Sequence, residues 1–357
     1  MSMSHITTLD TYRLLGRSGL RVSPLSLGTM TFGTDWGWGA DSAEARRLLE
    51  TYMDRGGNFV DTASAYTDGT SEKILGEITE GRREQLVIAT KYTMSRRAGD
   101  PNAGGNHRKS MVSSVESSLR SLGTDYIDLL YLHAWDQTTP VEEILRAMDD
   151  LVRAGKVLYV GISHTPAWQV SRMQAIADLR GWSPLIALQI EYSLVERTVE
   201  RDLIPMALEM GLGVLPWSPL ASGVLTGKYT AADLDSGPGI ASAAGTRKNV
   251  AVANGALTER ALLIAGEVKQ IAGELGRTQA QVALAWTLVN PAVTSTILGV
   301  RTHEQLVDNL GALEVEFTED QIRRLNACSA VDLGFPHEFL ARPLTIAVTR
   351  GGVKIAR

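Results

Sequence analysis

Eight short runs of apolar and β-branched residues recur along the chain, and longer stretches with helical periodicity separate them. Within each run the apolar positions are nearly continuous, which is typical of strands buried on both faces of a parallel sheet. The runs are Pro24–Met30, Asn58–Ala63, Leu86–Tyr92, Asp128–Ala134, Val157–Ser163, Leu185–Tyr192, Gly213–Pro219 and Thr294–Val300. The pattern predicts eight parallel strands.

The intervening stretches have apolar residues every three or four positions, as amphipathic helices do. Three of the later ones begin with a capping box, in which a threonine is followed three residues later by a glutamine. These pairs are Thr278 with Gln281, Thr302 with Gln305, and Thr318 with Gln321. Strand and helix alternate eight times without a linker or repeat, which favours a single (β/α)8 TIM barrel domain over residues 1–357 rather than an open sheet.

Three polar stretches are too long to be simple connections, namely Thr31–Ala40, Thr93–His107 and Ala221–Ala256. Each follows the carboxyl end of a predicted strand, and barrel enzymes build their active sites on that face. The tail from Gly334 onward, which contains Phe335 and Phe339, is a further candidate to cover this face. We therefore expect the functional site there.

Composition narrows the class of protein. The 357 residues are 44% hydrophobic and 21% charged, as in a globular protein, and the net charge of −5 disfavours a nucleic-acid or anionic-membrane partner. The single cysteine, Cys328, excludes an intrachain disulfide and a thiolate metal site, so no metal is predicted. The first ten residues lack signal-peptide features, and no apolar run reaches the roughly 18 residues of a membrane span. A cytoplasmic enzyme is expected.

Four ionisable residues follow or end consecutive predicted strands: Asp61, Tyr66, Lys91 and His133. Each alone has a structural explanation, such as a helix cap or a solvated strand end. Together they place a carboxylate, a phenol, an ammonium and an imidazole on one rim of an apolar barrel. Their convergence indicates catalysis.

These four groups suit carbonyl reduction, which needs a hydride at the carbon and a proton at the oxygen. A free tyrosine has a pKa of about 10 and is a weak acid near neutrality. A neighbouring ammonium would lower that pKa, and a carboxylate would hold the ammonium in place. We therefore expect Tyr66 to be the acid, Lys91 and Asp61 to support it, and His133 to orient the carbonyl oxygen.

Several dispersed motifs occur in a characteristic order along the chain. They are Gly28-Thr29-Met30, the stretch from Asp61 to Tyr66, Ser121-Leu122-Gly123-Thr124-Asp125-Tyr126-Ile127-Asp128, Gly155-Lys156-Val157, Pro216-Trp217-Ser218-Pro219-Leu220 and Gly223-Val224-Leu225-Thr226-Gly227-Lys228. With them the chain resembles the aldo-keto reductase superfamily from about Tyr12 to Phe339. The branch is that of bacterial and aryl-alcohol-type reductases and potassium-channel β subunits. The resemblance implies a catalytic tetrad of Asp61, Tyr66, Lys91 and His133, and NADPH/NADP+ as cofactor.

The sequence lacks the glycine-rich fingerprint of a Rossmann nucleotide site. Arg301 instead precedes a helix capped by Thr302, where a cation and a helix N-terminus together suit a phosphate. Gln305 and Asn309 either belong to the cap and a solvated face or hold an adenine edge. The resemblance favours the second interpretation and assigns the 2′-phosphate of NADPH to Arg301.

The resemblance also implies that Trp217 stacks on the nicotinamide and that Ser163 and Gln189 hold its carboxamide. His164 stands where the family often has asparagine, so its contact with the carboxamide is in question. The loop from Ser218 to Gly227 is expected to border the pyrophosphate. The complete set of expected cofactor residues is Gly28, Thr29, Met30, Asp61, Ser163, His164, Gln189, Trp217, Ser218, Pro219, Leu220, Gly223, Leu225, Gly227, Lys228, Gly299, Arg301, Gln305 and Asn309.

The expected substrate pocket is aromatic, with Trp36, Trp38 and Trp135 beside Tyr66, which favours an aryl or bulky apolar carbonyl. Three basic residues in and just after the long loop that follows the third predicted strand, Arg96, Arg97 and Arg108, either bind an anion or are solvated, and solvation is the favoured interpretation.

Two other functions stay open. One is a nucleotide-binding regulatory subunit with weak reductase activity, and the other is a Schiff-base aldolase that uses Lys91. The sequence also leaves open whether the chain forms a homo-oligomer.

Overall fold

The computed structural model describes residues 8–234 and 247–353. Eight strands form one parallel sheet, in which the first seven strands pair with their neighbours along the chain and the last strand pairs with the first. They are numbered from β3, because two short strands precede them. Their bounds are β3 Leu25–Gly28, β4 Phe59–Asp61, β5 Val87–Tyr92, β6 Ile127–Leu132, β7 Val157–Ser163, β8 Leu185–Glu191, β9 Gly213–Trp217 and β10 Thr296–Gly299. All eight predicted strands are present, most of them a residue or more shorter than the apolar runs.

The sheet closes between β9 and the segment that leads into β10. The backbone N–H of Val214 donates to the carbonyl of Ala292 at 3.1 Å, and that of Thr294 donates to the carbonyl of Val214 at 2.8 Å. On the other side, β10 pairs with β3 in parallel from Thr296 to Gly299. These contacts close the sheet into a barrel, which confirms the predicted (β/α)8 fold.

Helices separate consecutive barrel strands and pack on the outside of the sheet. Their bounds are α1 Ser42–Asp54, α2 Thr70–Thr79, α3 Arg108–Leu122, α4 Val141–Arg153, α5 Ala167–Arg180, α6 Leu203–Met210, α7 Arg247–Ala253, α8 Glu259–Leu275, α9 Gln279–Val289, α10 His303–Leu310, α11 Glu319–Cys328, α12 His337–Ala341 and α13 Pro343–Thr349. Three helices, α7 to α9, lie between β9 and β10. Apolar stripes bury the inner faces of the helices, as with Ile144, Leu145 and Met148 on α4.

The capping predictions hold for two helices and are wrong in part for the third. Complete capping boxes open α9 at Thr278 and α11 at Thr318. At α10 the Thr302 side chain accepts from the Gln305 N–H as expected, but the Gln305 side chain accepts from the N–H of Arg301 instead of Thr302. The Gln305 side chain thus bonds the residue before the cap rather than the cap itself.

A short antiparallel hairpin precedes the barrel and was not predicted. Its strands are β1, Arg13–Leu14, and β2, Arg21–Val22. Leu15 is fully buried and belongs to the same apolar cluster as the side chains inside the barrel. A side chain at Gly16 would collide with the carbonyl oxygen of Ile186 near the start of β8. The hairpin therefore closes the amino-terminal end of the barrel and leaves the carboxyl end open.

The three long loops lie at the carboxyl end, as expected from their positions after strands. The last one contains α7, and its residues 235–246 lie outside the described residues. The tail forms α12 and α13, with Phe335 84% exposed. In the part of the chain that the structure describes, no helix is long and apolar enough to span a bilayer.

Candidate active site

The carboxyl ends of the eight strands converge on one cavity of about 520 Å³, a volume typical of small-molecule sites. Each strand brings an expected site residue to this rim, at or next to its carboxyl end. In barrel order from β3 to β10 they are Gly28, Asp61, Lys91, His133, Ser163, Gln189, Trp217 and Gly299. The parallel sheet is what brings together residues from distant parts of the sequence.

Lys91 lies at the centre of a buried hydrogen-bond network. Its Nζ atom donates to a carboxylate oxygen of Asp61 at 2.6 Å, to the carbonyl of Thr62 at 2.8 Å and to the hydroxyl oxygen of Tyr66 at 3.0 Å. These three bonds use all three ammonium protons. Because Tyr66 accepts from Lys91, its own hydroxyl proton remains available to a partner in the cavity.

A constrained turn positions Tyr66 after β4. The next two residues, Thr67 and Asp68, have positive φ angles of 45° and 54°, which are uncommon for residues other than glycine. The Thr67 hydroxyl donates to the carbonyl of Phe32 at 2.7 Å and accepts from the N–H of Ser71 at 3.0 Å. The loop after β3 and the start of α2 therefore hold the phenol at the rim.

Asp61 is held from a second direction by Gln189 on β8. The Gln189 side-chain nitrogen donates to the other carboxylate oxygen of Asp61 at 2.8 Å, and both residues are buried. The carboxylate thus bridges Lys91 and Gln189 across the barrel. Gln189 was expected at the nicotinamide carboxamide; it lines the cavity, and its amide nitrogen binds Asp61.

Burial and neighbouring charges determine the protonation of the central pair. Burial raises the pKa of Tyr66 above its usual value; Lys91 opposes the rise and Asp61 adds to it. Burial by itself would lower the pKa of Lys91, but Asp61 and Tyr66 outweigh it and the net direction is upward. Lys91 lowers the pKa of Tyr66 as expected, but the rise that burial causes is larger. Tyr66 is therefore a neutral acid beside a charged lysine at neutral pH.

Two histidines face Tyr66 and Trp217 across the cavity. The rings of His133 and Tyr66 meet edge to face with centroids 6.1 Å apart, and the ring of His164 lies 5.3 Å from that of Trp217. Burial lowers the pKa of His133 to about 2, with further lowering by Lys91 and His164. His133 is therefore neutral, and a neutral imidazole can donate one hydrogen bond.

The hydrogen bonds of His164 determine its tautomer. Its Nδ1 atom lies 2.7 Å from the carbonyl oxygen of His133 and 2.9 Å from the hydroxyl of Ser163, which itself donates to the carbonyl of Gln189. Because a carbonyl oxygen only accepts, Nδ1 must carry the proton. Burial lowers the pKa of His164, so the ring is neutral and Nε2 is an acceptor. An asparagine would have offered both a donor and an acceptor.

Most of the expected cofactor residues line the cavity. They are Gly28, Met30, Asp61, His164, Gln189, Trp217, Ser218, Pro219, Leu220, Gly223, Lys228, Gly299, Arg301, Gln305 and Asn309. Four lie behind the wall: Thr29 bonds the Asp61 carbonyl, Ser163 bonds the Gln189 carbonyl, Leu225 is fully buried, and Gly227 packs on Gln279. These four shape the wall rather than face the cavity.

Backbone strain and cationic groups mark the part of the cavity away from Tyr66. Ser218, Ala221 and Ser222 all have positive φ angles near 50°, and Gly223 follows at 92°. These left-handed residues turn the chain sharply beside the cavity, and several N–H groups of the loop donate to its own carbonyls. A Cβ atom at Gly223 would lie 2.6 Å from the Lys228 ammonium nitrogen, so glycine allows this cation to approach the loop.

Arg301 lies at the far end of the cavity, just before α10. Within the described residues it forms no ion pair, and the start of α10 adds the positive end of a helix dipole. The cavity thus runs from Tyr66 and His133 to Gln305 and Asn309. An aromatic ring at one end and cations along its length fit an elongated, phosphate-bearing nucleotide.

The three expected substrate tryptophans do not line this cavity. Trp36 and Trp38 pack on each other with centroids 5.9 Å apart, and Trp135 packs on Trp168 at 5.5 Å. The tail aromatics also lie off the wall. Long side chains on loops can pack on each other instead of facing a ligand, and sequence alone does not distinguish the two.

The cavity wall also contains ten residues outside the expected site residues; Ser222 and Thr226 belong to the loop that was expected to border the pyrophosphate, and the other eight were not expected. The ten are Thr31, Ser222, Thr226, Thr278, Gln279, Ala280, Leu284, Ile297, Leu298 and Asp308. The capping box at Thr278 was the one usable signal, because it places a second helix N-terminus, that of α9, on the same face as α10.

Comparison with known proteins agrees with this geometry. The model of the aldo/keto reductase family matches residues 24–330. Norsolorinic acid reductase of Aspergillus flavus is 38% identical over 345 residues, which cover 94% of this chain and 85% of that protein. Aryl-alcohol dehydrogenase [NADP(+)] of Phanerodontia chrysosporium is 35% identical over 347 residues, covering 93% and 89%. An uncharacterized oxidoreductase, YrpG, of Bacillus subtilis is 40% identical over 327 residues, covering 88% and 94%. The resemblance seen in the sequence is confirmed, and the chain belongs to the aldo/keto reductase family.

Proposed function

We propose that this protein reduces an aldehyde or ketone to an alcohol with NADPH, and that Tyr66 is the general acid. The observation that carries the proposal is the bond from the buried Lys91 ammonium to the Tyr66 hydroxyl, beside a cavity shaped for a nucleotide. Membership of an oxidoreductase family supports the reaction class.

The residues divide the reaction between them. NADPH, when bound, supplies the hydride to the carbonyl carbon. The neutral His133 ring donates a hydrogen bond to the carbonyl oxygen and holds it near the Tyr66 hydroxyl. Tyr66 transfers its proton to that oxygen as negative charge develops there. Lys91 stabilises the resulting phenolate, and Asp61 keeps the ammonium in place until water returns a proton to Tyr66.

Different parts of the cavity hold different parts of the nucleotide in this proposed function. Arg301 holds the adenosine 2′-phosphate, with Gln305 and Asn309 at the adenine. The loop from Ser218 to Gly227, together with Lys228, holds the pyrophosphate. Trp217 stacks on the nicotinamide, and the Nε2 atom of His164 accepts a hydrogen bond from its carboxamide. The NADP(+)-linked aryl-alcohol dehydrogenase supports the choice of NADPH over NADH.

The proposed substrates are aryl or bulky apolar carbonyls. With Trp217 and His164 assigned to the nicotinamide, the rings of Tyr66 and His133 form the substrate side of the reactive end, where they meet edge to face. Such a wall favours flat apolar groups over small charged acids. The names of two relatives, an aryl-alcohol dehydrogenase and norsolorinic acid reductase, support the same class.

The experiment follows NADPH consumption with a panel of aryl and alkyl aldehydes and ketones, for the parent protein and Tyr66→Phe. We expect turnover with aryl carbonyls. In Tyr66→Phe we expect a loss of about 10²–10⁴-fold, the usual worth of a positioned acid. NADPH binding, measured by fluorescence, should change little. Substantial residual turnover in Tyr66→Phe would refute its role.

The same assays address the two alternatives. Tight NADPH binding without detectable turnover on any carbonyl would favour the regulatory subunit. The Schiff-base aldolase needs a neutral lysine, whereas Asp61 and Tyr66 outweigh burial and raise the pKa of Lys91. Borohydride trapping of a carbonyl compound on Lys91 would nevertheless establish it.

A further inference from the structure

A second cavity, of about 300 Å³, lies behind the turn that carries Tyr66. It is bounded by the start of α2, the loop after β5 and one face of α3, and shares no lining residue with the cavity at the barrel rim. Most of the residues that line it have polar or charged side chains, whereas the rim cavity combines apolar and aromatic residues with cations. It is therefore a separate feature.

Three cations line this second cavity: Lys73, Arg96 and Arg97. Arg97 pairs with Asp100, with an Nη2–Oδ2 distance of 2.9 Å. The Arg96 guanidinium donates to the hydroxyl of Ser117 at 2.7 Å. Throughout residues 8–234 and 247–353, neither Lys73 nor Arg96 forms an ion pair. A cation held by a hydroxyl keeps its full charge for a ligand.

Two carboxyl groups reduce the positive charge in part. Asp68 lines the cavity, and Glu72 lies buried close enough to Arg96 to interact with it. Burial raises the pKa of Glu72, and hydrogen bonds with Thr90 and Ser118 and the charges of Arg96 and Lys91 oppose the rise. Among the residues that line the cavity itself, one carboxylate, Asp68, stands against three cations. The cavity keeps an excess of cations.

Serines provide the remaining donors from one face of α3. Ser110, Ser114, Ser117 and Ser121 are spaced by three or four residues and so form one stripe, and Ser113 lies next to Ser114 on its edge. Ser110 is 2% exposed, and its hydroxyl has no hydrogen-bond partner among the described residues. An unsatisfied buried hydroxyl costs about 1–3 kcal/mol, so a ligand that bonds it would bind more tightly.

We propose that this cavity binds a small phosphate monoester, with the phosphate on Lys73 and Arg96 and the serine hydroxyls bonded to its oxygens. A guanidinium, an ammonium and several hydroxyls match the charge and oxygens of a tetrahedral dianion. A volume of about 300 Å³ lies at the lower end of small-molecule sites and leaves room beyond the phosphate for a small polar group. Arg96 then has a function beyond solvation, whereas Arg97 pairs with Asp100.

Calorimetric titration tests the proposal, with ribose 5-phosphate as the probe and ionic strength held constant. The protein carries Arg301→Ala, so that the 2′-phosphate position proposed above does not compete. We expect saturable binding that Arg96→Gln and Lys73→Gln each weaken by about tenfold or more, as the loss of one charge-assisted bond predicts. Ser110→Ala should weaken binding less.

Arg120→Gln is the matched control, because it removes the same charge from α3 at an exposed position outside the cavity. Thermal unfolding verifies that each variant is folded. Equal affinity in the parent and in both Arg96→Gln and Lys73→Gln would overturn the site, as would an equal loss in Arg120→Gln. Ribose that binds as well as its phosphate would also overturn it. Inorganic phosphate that binds as tightly as the ester would overturn the ester as ligand.

Discussion

Replacing Lys91 with methionine distinguishes the contribution of the buried network to stability from its contribution to the reaction rate. Methionine has a similar length but cannot donate to Asp61, Thr62 or Tyr66. The change removes three hydrogen bonds of 2.6 to 3.0 Å and leaves the Asp61 carboxylate buried without its cation. Gln189 remains as a donor to the second carboxylate oxygen.

The stability loss follows from burial. Both side chains of the Lys91–Asp61 pair are almost completely buried. Removing one partner of a buried ion pair costs about 3–5 kcal/mol, because the remaining charge is uncompensated. A typical free energy of unfolding is about 5–15 kcal/mol, so this loss removes a large part of it and we expect Lys91→Met alone to be close to unfolding.

The double variant Lys91→Met/Asp61→Asn removes both charges and keeps an oxygen to accept from Gln189. Replacing a buried pair by neutral groups of similar size is often neutral, so we expect most of the lost stability to return. Activity should not return, because Tyr66 still lacks the ammonium that stabilises its phenolate. We expect a fall in kcat of about 10²–10⁴-fold in both variants.

Urea unfolding gives the stabilities of the parent, the two single variants and the double variant, and NADPH consumption gives their rates. The coupling between the two positions in stability should be several kcal/mol, whereas the rate of the double variant should stay as low as that of Lys91→Met. Additive stability losses would refute the buried-pair argument. A double variant within a few-fold of the parent rate would refute the role of the ammonium.

Three further predictions concern the cavity. In Arg301→Ala the dissociation constant for NADPH should rise about tenfold or more and that for NADH should barely change, since a charge-assisted bond to the 2′-phosphate is lost; fluorescence titrations giving equal losses would contradict the assignment. In His133→Gln the fall in stability on acidification should become shallower: the pKa of His133 is about 2 in the folded protein, so below its usual 6.5 the unfolded chain binds a proton that the folded one does not, at up to about 1.4 kcal/mol per pH unit. Urea unfolding at several pH values below 6.5 measures this, and an unchanged slope would show that His133 takes up its proton in the folded state. His164→Asn should alter the affinity for NADPH, because asparagine offers both a donor and an acceptor where the neutral histidine offers Nε2 as an acceptor; an identical affinity in fluorescence titrations would show that His164 does not contact the cofactor.

The barrel could be predicted from sequence because its signal is repeated eight times. A run such as Val157–Ser163 is apolar on both faces, and the structure has a strand with the same bounds. Other runs are longer than their strands: Pro24–Met30 contains β3, Leu25–Gly28, because Thr29 and Met30 already belong to the rim. The hairpin of β1 and β2 gives no such signal, since strands of two residues have no periodicity.

Residue chemistry and position alone predicted the site best at strand ends, whereas loop residues such as Gly223 and Lys228 were expected through the family resemblance. The parallel sheet brings Asp61, Lys91 and His133 to one rim, and Tyr66 is held close by the turn after β4. Trp36 and Trp135 have the same aromatic character as Trp217, yet their rings pack on other tryptophans. The second cavity depends on the folding of the loop after β5 against α3, which no local pattern specifies.

The protonation states at the rim determine how the proposed reaction should respond to pH. Burial lowers the pKa of His133 and by itself would lower that of Lys91, but Lys91 has a carboxylate partner in Asp61, so it stays an ammonium while His133 is neutral. Burial also raises the pKa of Tyr66, which keeps its proton through the neutral range. Reduction uses that protonated phenol, whereas alcohol oxidation needs the phenolate. We therefore expect reduction to be independent of pH around neutrality and oxidation with NADP+ to accelerate as pH rises; oxidation that is equally fast at acidic and alkaline pH would show that Tyr66 does not carry the proton.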